Sequence, residues 1–422
     1  MRAVSIDNKK VNQSSLSFID GWAKKLIFRW LQQLSYGRLT IIDNGVSVSF
    51  GESEDEAKVC GIVLVEHESI YRDILFNGAI GTGEAYMKGS WSSPNLVHVI
   101  QILCQNMELV LELNRGWSKF SNIFMGWSHR LFRSNNKQNS KLNIAAHYDL
   151  GNDFFSLFLD PNMMYSSAIY PGEKTNFTDA ASYKLDHICQ QLQLSPSDHL
   201  LEIGTGWGGM AIFAAKSYGC KVTTTTISEE QHRYAIEQVE AEGLGDQITV
   251  LLDDYRDLSG EFDKLVSIEM IEAVGPQYYK SYFEMCSKLL KKDGLMLIQA
   301  ITMPDQRYAV TSAGVDFIQK YIFPGGHLPC NSVLLNNIAK HTDMQVVGME
   351  DITLDYAKTL HDWRERFFSQ IAAVKEQGYD DVFVRMWDYY LCYCEGGFRE
   401  RSIGTIQMLI AKPRCLDLPV IS

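Results

Sequence analysis

Apolar residues first recur at helical spacing near the start of the chain, where Trp22, Leu26, Trp30 and Leu34 predict a helix over residues 18–34 flanked by Lys24, Lys25 and Arg29. A basic helix carrying tryptophans can lie in a membrane interface, or pack one face on its own domain and leave its lysines in water. Short alternating runs then predict strands at 39–42, 46–50 and 59–65. A glycine-rich stretch through Gly78, Gly81 and Gly83 leads to residues 84–91, and a helical pattern covers 96–113. Together these make a small α+β domain without a catalytic constellation, suited to binding or assembly. Residues 115–133 mix Trp117, Phe120, Phe124 and Trp127 with Arg115, Lys119, Arg130 and Arg133, a second stretch open to either membrane contact or ordinary packing. The polar run at 134–140 reads as a linker.

The second part of the chain is organised around residues 200–209, Leu-Leu-Glu-Ile-Gly-Thr-Gly-Trp-Gly-Gly, followed by a helix-forming run at 210–216. Strand, glycine turn and helix in that order are the first unit of a nucleotide-binding α/β sheet. A dinucleotide site carries an acid about 20 residues on, at the end of the second strand. That strand, at 221–227, ends without one. The acid is instead Glu202, inside the first strand and beneath Gly204, Gly206 and Gly208, where it suits a cationic ligand. S-adenosylmethionine (SAM), a sulfonium with an α-ammonium group, fits that arrangement better than a pyrophosphate.

Further strands are predicted at 248–254, 264–270 and 295–303, with a helix starting from Ser228 and others between the strands, as a doubly wound sheet requires. Residues 146–155 and 163–168, dense in polar and aromatic side chains, are placed to fold over the cofactor as a lid. After 303 an aromatic-rich insertion replaces the expected helix, where such sheets bind substrate, and is a candidate wall for an apolar pocket. Helices around 363–373 and 382–395 and a strand at 404–412 close the chain.

Composition narrows the partners. The 422 residues carry a net charge of −12, which argues against nucleic acid, split as +2 over residues 1–140 and −14 over 141–422. The first 15 residues lack a signal-peptide core and no run of 18 apolar residues occurs, so the expected location is the cytosol. Nine cysteines show no metal-like pairing, and Cys392-x-Cys394 has the wrong spacing for a zinc or redox motif.

Seven segments resemble a known family: 147–153 (HYDLGND), 164–166 (MYS), 201–208 (LEIGTGWG), 226–231 (TISEEQ), 269–275 (EMIEAVG), 321–325 (YIFPG) and Phe398-Arg399. The run 86–91 adds a likeness in the N-terminal domain. The chain is similar to the cyclopropane-fatty-acyl-phospholipid synthases and their relatives, the mycolic acid cyclopropane synthases. The resemblance implies an α/β class I SAM-dependent methyltransferase fold, a Rossmann-like doubly wound sheet preceded by a small α+β domain. The division implied is 1–133 for lipid or membrane binding or assembly, 134–144 for a linker, and 145–422 for catalysis.

The activity implied is addition of a methylene group from SAM to cis double bonds of acyl chains in membrane phospholipids. Methylene or methyl branching of the same chains, and methylation of a soluble small molecule, remain as alternatives. The protein is expected at the inner face of the membrane, peripherally bound, as a homodimer. Cofactor contacts implied are Tyr165, Ser166, Gly204, Thr226, Ile227, Gln231 and Tyr255, joined by Glu202, Gly206, Gly208 and Asp254. A bicarbonate ion is implied as the base, held by Glu272, Tyr356 and the backbone near Ser167 and Ile301. The chain departs from the familiar pattern at Ser167, where cysteine is usual, and at Ala273 and Gln299, where histidine is usual. Gln299 keeps an amide N–H for an anion. Tyr308, Phe317 and Tyr321 are the aromatic faces expected to stabilise a carbocation without quenching it.

Overall fold

The computed structural model describes residues 18–110, 150–311 and 314–419. The basic aromatic stretch, the linker and the start of the expected lid, residues 146–149, lie outside them.

The N-terminal part comprises α1 (Phe18–Leu31), β1 (Arg38–Asp43), β2 (Val46–Gly51), β3 (Cys60–Val65), α2 (Ser69–Met87), β4 (Trp91–Ser92) and α3 (Leu96–Gln105). Its sheet has the order β2-β1-β3-β4. Asn44 and Gly45, both with positive φ, turn β1 into antiparallel β2, as a tight hairpin requires. The first helix packs on its own domain, but its buried stripe is Ala23, Ile27 and Leu31. The expected stripe was one position off, and Trp22 is exposed. Lys24 does not stay in water: its Nζ donates to buried Asp43 at 2.5 Å. α2, absent from the sequence reading, is broken at Gly78 (φ 55°, ψ −136°).

The larger part follows as α4 (Asn152–Ser156), α5 (Phe177–Gln191), β5 (His199–Ile203), α6 (Gly209–Tyr218), β6 (Lys221–Thr225), α7 (Glu229–Ala241), β7 (Ile248–Leu251), β8 (Phe262–Ile268), α8 (Tyr279–Leu289) and β9 (Leu290–Thr302). It ends with α9 (Asp305–Thr311), α10 (Phe317–Tyr321), α11 (Asn331–His341), β10 (Gln345–Asp351), α12 (Thr353–Ser369), α13 (Ile371–Glu376), α14 (Asp381–Arg399) and β11 (Gly404–Ala411). The seven strands run β10-β11-β9-β8-β5-β6-β7, with β9, β8, β5, β6 and β7 parallel to one another and β11 antiparallel to both β9 and β10. The order reverses between β5 and β8, so the crevice at their carboxyl ends is the natural ligand site. Ser228 caps α7 by accepting from the Gln231 N–H, as the sequence suggested.

The two sheets are bound through α14, which packs on α2, α3 and α12. Tyr86 donates to Asp388 Oδ2 at 2.5 Å, and Arg364 donates to Oδ1 of the same carboxylate at 2.7 Å. Glu84 of α2 receives both Lys320 and the Tyr321 hydroxyl. Gly83 allows this approach, because a Cβ there would stand 2.5 Å from the Phe317 ring. No helix among the described residues is long and apolar enough to cross a membrane.

Candidate active site

After β5 the backbone turns through Gly204, Gly206 and Gly208 with φ of 105°, 53° and 91°, a region that disfavours side chains. A Cβ on Gly206 would meet nothing within 4 Å, so the space beside the turn is open to a ligand. Gly208 has a different job: it does not line the cavity, and its absent side chain lets Ala235 of α7 come within 3.3 Å of the Cβ position. Below the turn, Glu202 is 2% exposed and accepts from the Thr224 hydroxyl at 2.6 Å. Burial pushes its pKa up to about 8, against the pull of Thr224 and Lys184. A cation seated above it would return the charge.

Thr226 donates to Gln231 Oε1 at 3.0 Å, which leaves the Gln231 amide N–H groups for a ligand. Ile227 and Tyr255 line the same space. Asp254 also lines it, but its carboxylate is held by Arg256 in a bidentate pair of 2.7 and 2.6 Å. From the segment 163–168, Tyr165 packs against Trp363 and bonds the Tyr390 hydroxyl at 2.9 Å, and Ser166 accepts from Lys184 Nζ at 2.9 Å. Trp207 anchors α4 to the glycine turn by donating to Asn152 Oδ1 at 2.6 Å.

The carboxyl ends of β8 and β9 hold a second acidic centre. Glu269 Oε1 accepts from the Ser167 N–H at 2.9 Å and from Gln299 Nε2 at 2.7 Å, and its Oε2 accepts from the Tyr356 hydroxyl at 2.7 Å. Gln407 donates to Gln299 Oε1 at 2.9 Å, which fixes the Gln299 amide with its N–H toward Glu269. Glu272 accepts the Ile301 N–H at 2.5 Å, while its Oε2 is buried without a hydrogen-bond partner among the described residues. Burial raises both carboxyls, Glu272 to about 8 with the charge of Glu269 as the next cause. Hydrogen bonds from Ser167, Tyr356 and Gln299, then Lys184, pull Glu269 back down. Three donors meet Glu269 against one at Glu272, so hydrogen bonding favours a negative charge on Glu269 over one on Glu272.

The expected bicarbonate cradle is thus divided between two side chains. Glu272 and Tyr356 do not converge on a common anion site, because Tyr356 and the groups at Ser167 and Gln299 are all taken by Glu269. Neither Ser167 nor Gln299 reaches the cavity wall; both stand behind Glu269. A free bicarbonate would find its donors occupied and a carboxylate already in place, so these residues do not fit it.

One cavity of about 960 Å³ joins the glycine turn to an apolar interior. Its walls include Ile301, Glu269, Glu272 and Tyr356, then Ile318 and Phe323 of the insertion, and finally Ile27, Leu39, Ile74 and Leu103 of the N-terminal part. Tyr308, Phe317 and Tyr321 do not line it. Phe317 is fully buried against Tyr389 and Gly83, the Tyr321 hydroxyl is spent on Glu84, and Tyr308 meets the edge of His327. Tyr356, Tyr390 and Phe398 supply the aromatic wall instead.

Two residues escaped the sequence reading. Lys184, fully buried among Glu269, Asp160 and Glu202, has its pKa pushed down to about 8 by burial. Its position on the apolar stripe of α5, between Ala181 and Leu185, was a visible signal. Glu269 was seen only as part of a motif.

Residues 135–408 match the family model for mycolic acid cyclopropane synthetase. The tuberculostearic acid methyltransferase UfaA1 of Mycobacterium tuberculosis is 37% identical over 82% of this chain and 82% of its own length. The cyclopropane-fatty-acyl-phospholipid synthase of Escherichia coli is 37% identical over 83% of this chain and 87% of its own. Among solved structures, the mycolic acid cyclopropane synthase CmaA1 complexed with SAH and CTAB superposes with a TM-score of 0.60 at 29% identity, covering 64% of this chain and 98% of that one. The chain belongs to the mycolic acid cyclopropane synthetase family, and it is a SAM-dependent methyltransferase of the class I α/β fold.

Proposed function

We propose that this enzyme adds a methylene group from SAM to the cis double bond of an unsaturated acyl chain held in membrane phospholipid, giving a cyclopropane chain. The observation that carries the reading is the single cavity linking the glycine turn to the apolar interior of both parts. A soluble, polar substrate has no use for such a depth of aliphatic wall. The methyl donor belongs at the turn, with Glu202 beneath its positive charge and Tyr165, Ser166, Gly204, Gly206, Thr226, Ile227, Gln231 and Tyr255 around it. SAM supplies an electrophilic methyl group. The protein aligns a weakly nucleophilic alkene with it and keeps water out, which is worth several kcal/mol through positioning. The walls of Tyr356, Tyr390 and Phe398 attract a developing carbocation without attacking it.

Branching is the second reading, favoured by the equal identity to the tuberculostearic acid methyltransferase. Proton loss from a neighbouring carbon in place of the added methyl would give it. We further place the N-terminal part at the membrane surface, where exposed Phe18, Ile19 and Trp22 form an apolar tip at the start of α1.

The test is incubation of the purified protein with SAM and vesicles of unsaturated phospholipid, followed by analysis of the acyl chains. Gain of one CH2 with high-field cyclopropyl proton signals is expected. Olefinic methylene signals select branching, and unaltered lipid beside turnover of a soluble acceptor rejects both.

A further inference from the structure

We propose that Glu269 is this enzyme's own general base, a carboxylate built into the place where the resemblance implied a bicarbonate ion. The proposal rests on the acyl-chain reading above and adds the identity of the proton acceptor.

Three donors of independent origin converge on one side chain: the Ser167 backbone N–H, the Gln299 amide and the Tyr356 hydroxyl. A planar carboxylate held this way presents the same two-oxygen face as a bound bicarbonate. Ser167 and Gln299 support it from behind, Tyr356 holds it from the side, and Glu269 itself lines the cavity beside Glu272, Ile301 and Met270. The backbone gives a second, independent sign. Glu269 has a φ of +48°, a left-handed conformation in which a residue with a Cβ is strained. Strain of this kind persists where the surrounding structure holds it, and it gathers at functional sites.

Charge assignments agree with the role. The groups facing Glu269 are Glu272 from the turn after β8, Lys184 from α5, Tyr356 from α12 and Tyr390 from α14. The tyrosines are held far above their ordinary pKa and remain donors, and Glu272 is neutral at pH 7. The three hydrogen bonds to Glu269 favour its carboxylate form, the one able to accept a proton.

The chemistry balances. The alkene electron pair forms a carbon–carbon bond to the methyl group as the carbon–sulfur bond breaks, and that pair stays on sulfur. The resulting carbocation is closed by a C–H pair of the added methyl, which becomes the second ring bond. The released proton goes to a Glu269 carboxylate oxygen and later to solvent, with no oxidant or reductant required.

Wild-type enzyme, assayed with SAM and unsaturated phosphatidylcholine vesicles in buffer freed of carbon dioxide, should turn over at the same rate with and without added bicarbonate. Glu269→Gln should lose at least 100-fold in kcat, within the span general bases supply, while its SAM affinity stays within about twofold. Glu269→Gly suits the left-handed backbone and empties the cradle; it should be equally slow and regain turnover with bicarbonate or formate. SAM affinity and circular dichroism check that each variant folds. Wild-type turnover that depends on bicarbonate, Glu269→Gln turnover at the wild-type rate, or a folded Glu269→Gly that neither anion rescues would overturn the proposal. If wild-type enzyme leaves the lipid unaltered, the acyl-chain reading fails instead; conversion that persists in Glu269→Gln removes only the Glu269 role.

Discussion

Glu202 on β5 and Glu269 just past the end of the adjacent β8 line one cavity, yet their surroundings have opposite designs. Glu202 is held by a single hydroxyl, from Thr224, and burial keeps it protonated to about pH 8. Glu269 is held by three donors that, with Lys184, offset the cost of burying its charge. A buried carboxyl with few donors gains most from a cation brought by the ligand. One with a full set of donors is finished before the ligand arrives, and is therefore suited to take a proton during the reaction.

The two sites can be separated by the same substitution. Glu269→Gln is expected to remove turnover and spare SAM binding, while Glu202→Gln should weaken SAM binding about tenfold or more and change kcat at saturating SAM far less. The tenfold figure corresponds to the low end of a hydrogen bond or contact to a charged group. Titration calorimetry and saturation kinetics read the two effects independently, and equal losses of both quantities in both variants would erase the distinction.

Tyr356→Phe comes next. It removes one of three donors to Glu269 while Ser167 and Gln299 remain, so kcat should fall about 10-fold to 100-fold, with SAM affinity unaltered. A smaller loss belongs to Glu272→Gln, because glutamine copies the shape of a neutral acid and the Ile301 N–H still has an oxygen to bond. We expect a kcat decrease of about tenfold or less. A Glu272→Gln enzyme slower than Glu269→Gln would move the base to Glu272.

These contrasts also mark what the chain alone could reveal. The glycine turn, the parallel strands and the acid inside β5 were legible because each is a local pattern of a few adjacent residues. β10 was missed because it is half exposed, with no clean alternation, and α2 because Gly78, Gly81 and Gly83 break its stripe. The register of α1 was misjudged because small Ala23 marks the buried face and large Trp22 does not. Glu269 was beyond reach for another reason. Its donors stand 102, 30 and 87 residues away along the chain, and only folding brings them together.

The smallest effect concerns stability and follows from Glu202 and Glu272 together. Both are raised to about 8 from an ordinary 4.5, so between those values the folded chain binds more protons than the unfolded chain. Stability of the ligand-free protein should therefore fall as pH rises from about 5 to 8. Lys184 acts in a higher window: lowered to about 8 from 10.5, it favours the folded state as pH climbs between those values. Thermal melts at fixed ionic strength measure the slope. Glu202→Gln should flatten it by removing one of the two carboxyls. Saturating SAM should flatten it too, because its positive charge favours ionised Glu202 and lowers that pKa, whereas Glu272 should keep its share. A slope that SAM leaves intact would mean that the cation does not sit over Glu202, and the contrast between a carboxyl completed by its ligand and one completed by its own fold would be lost.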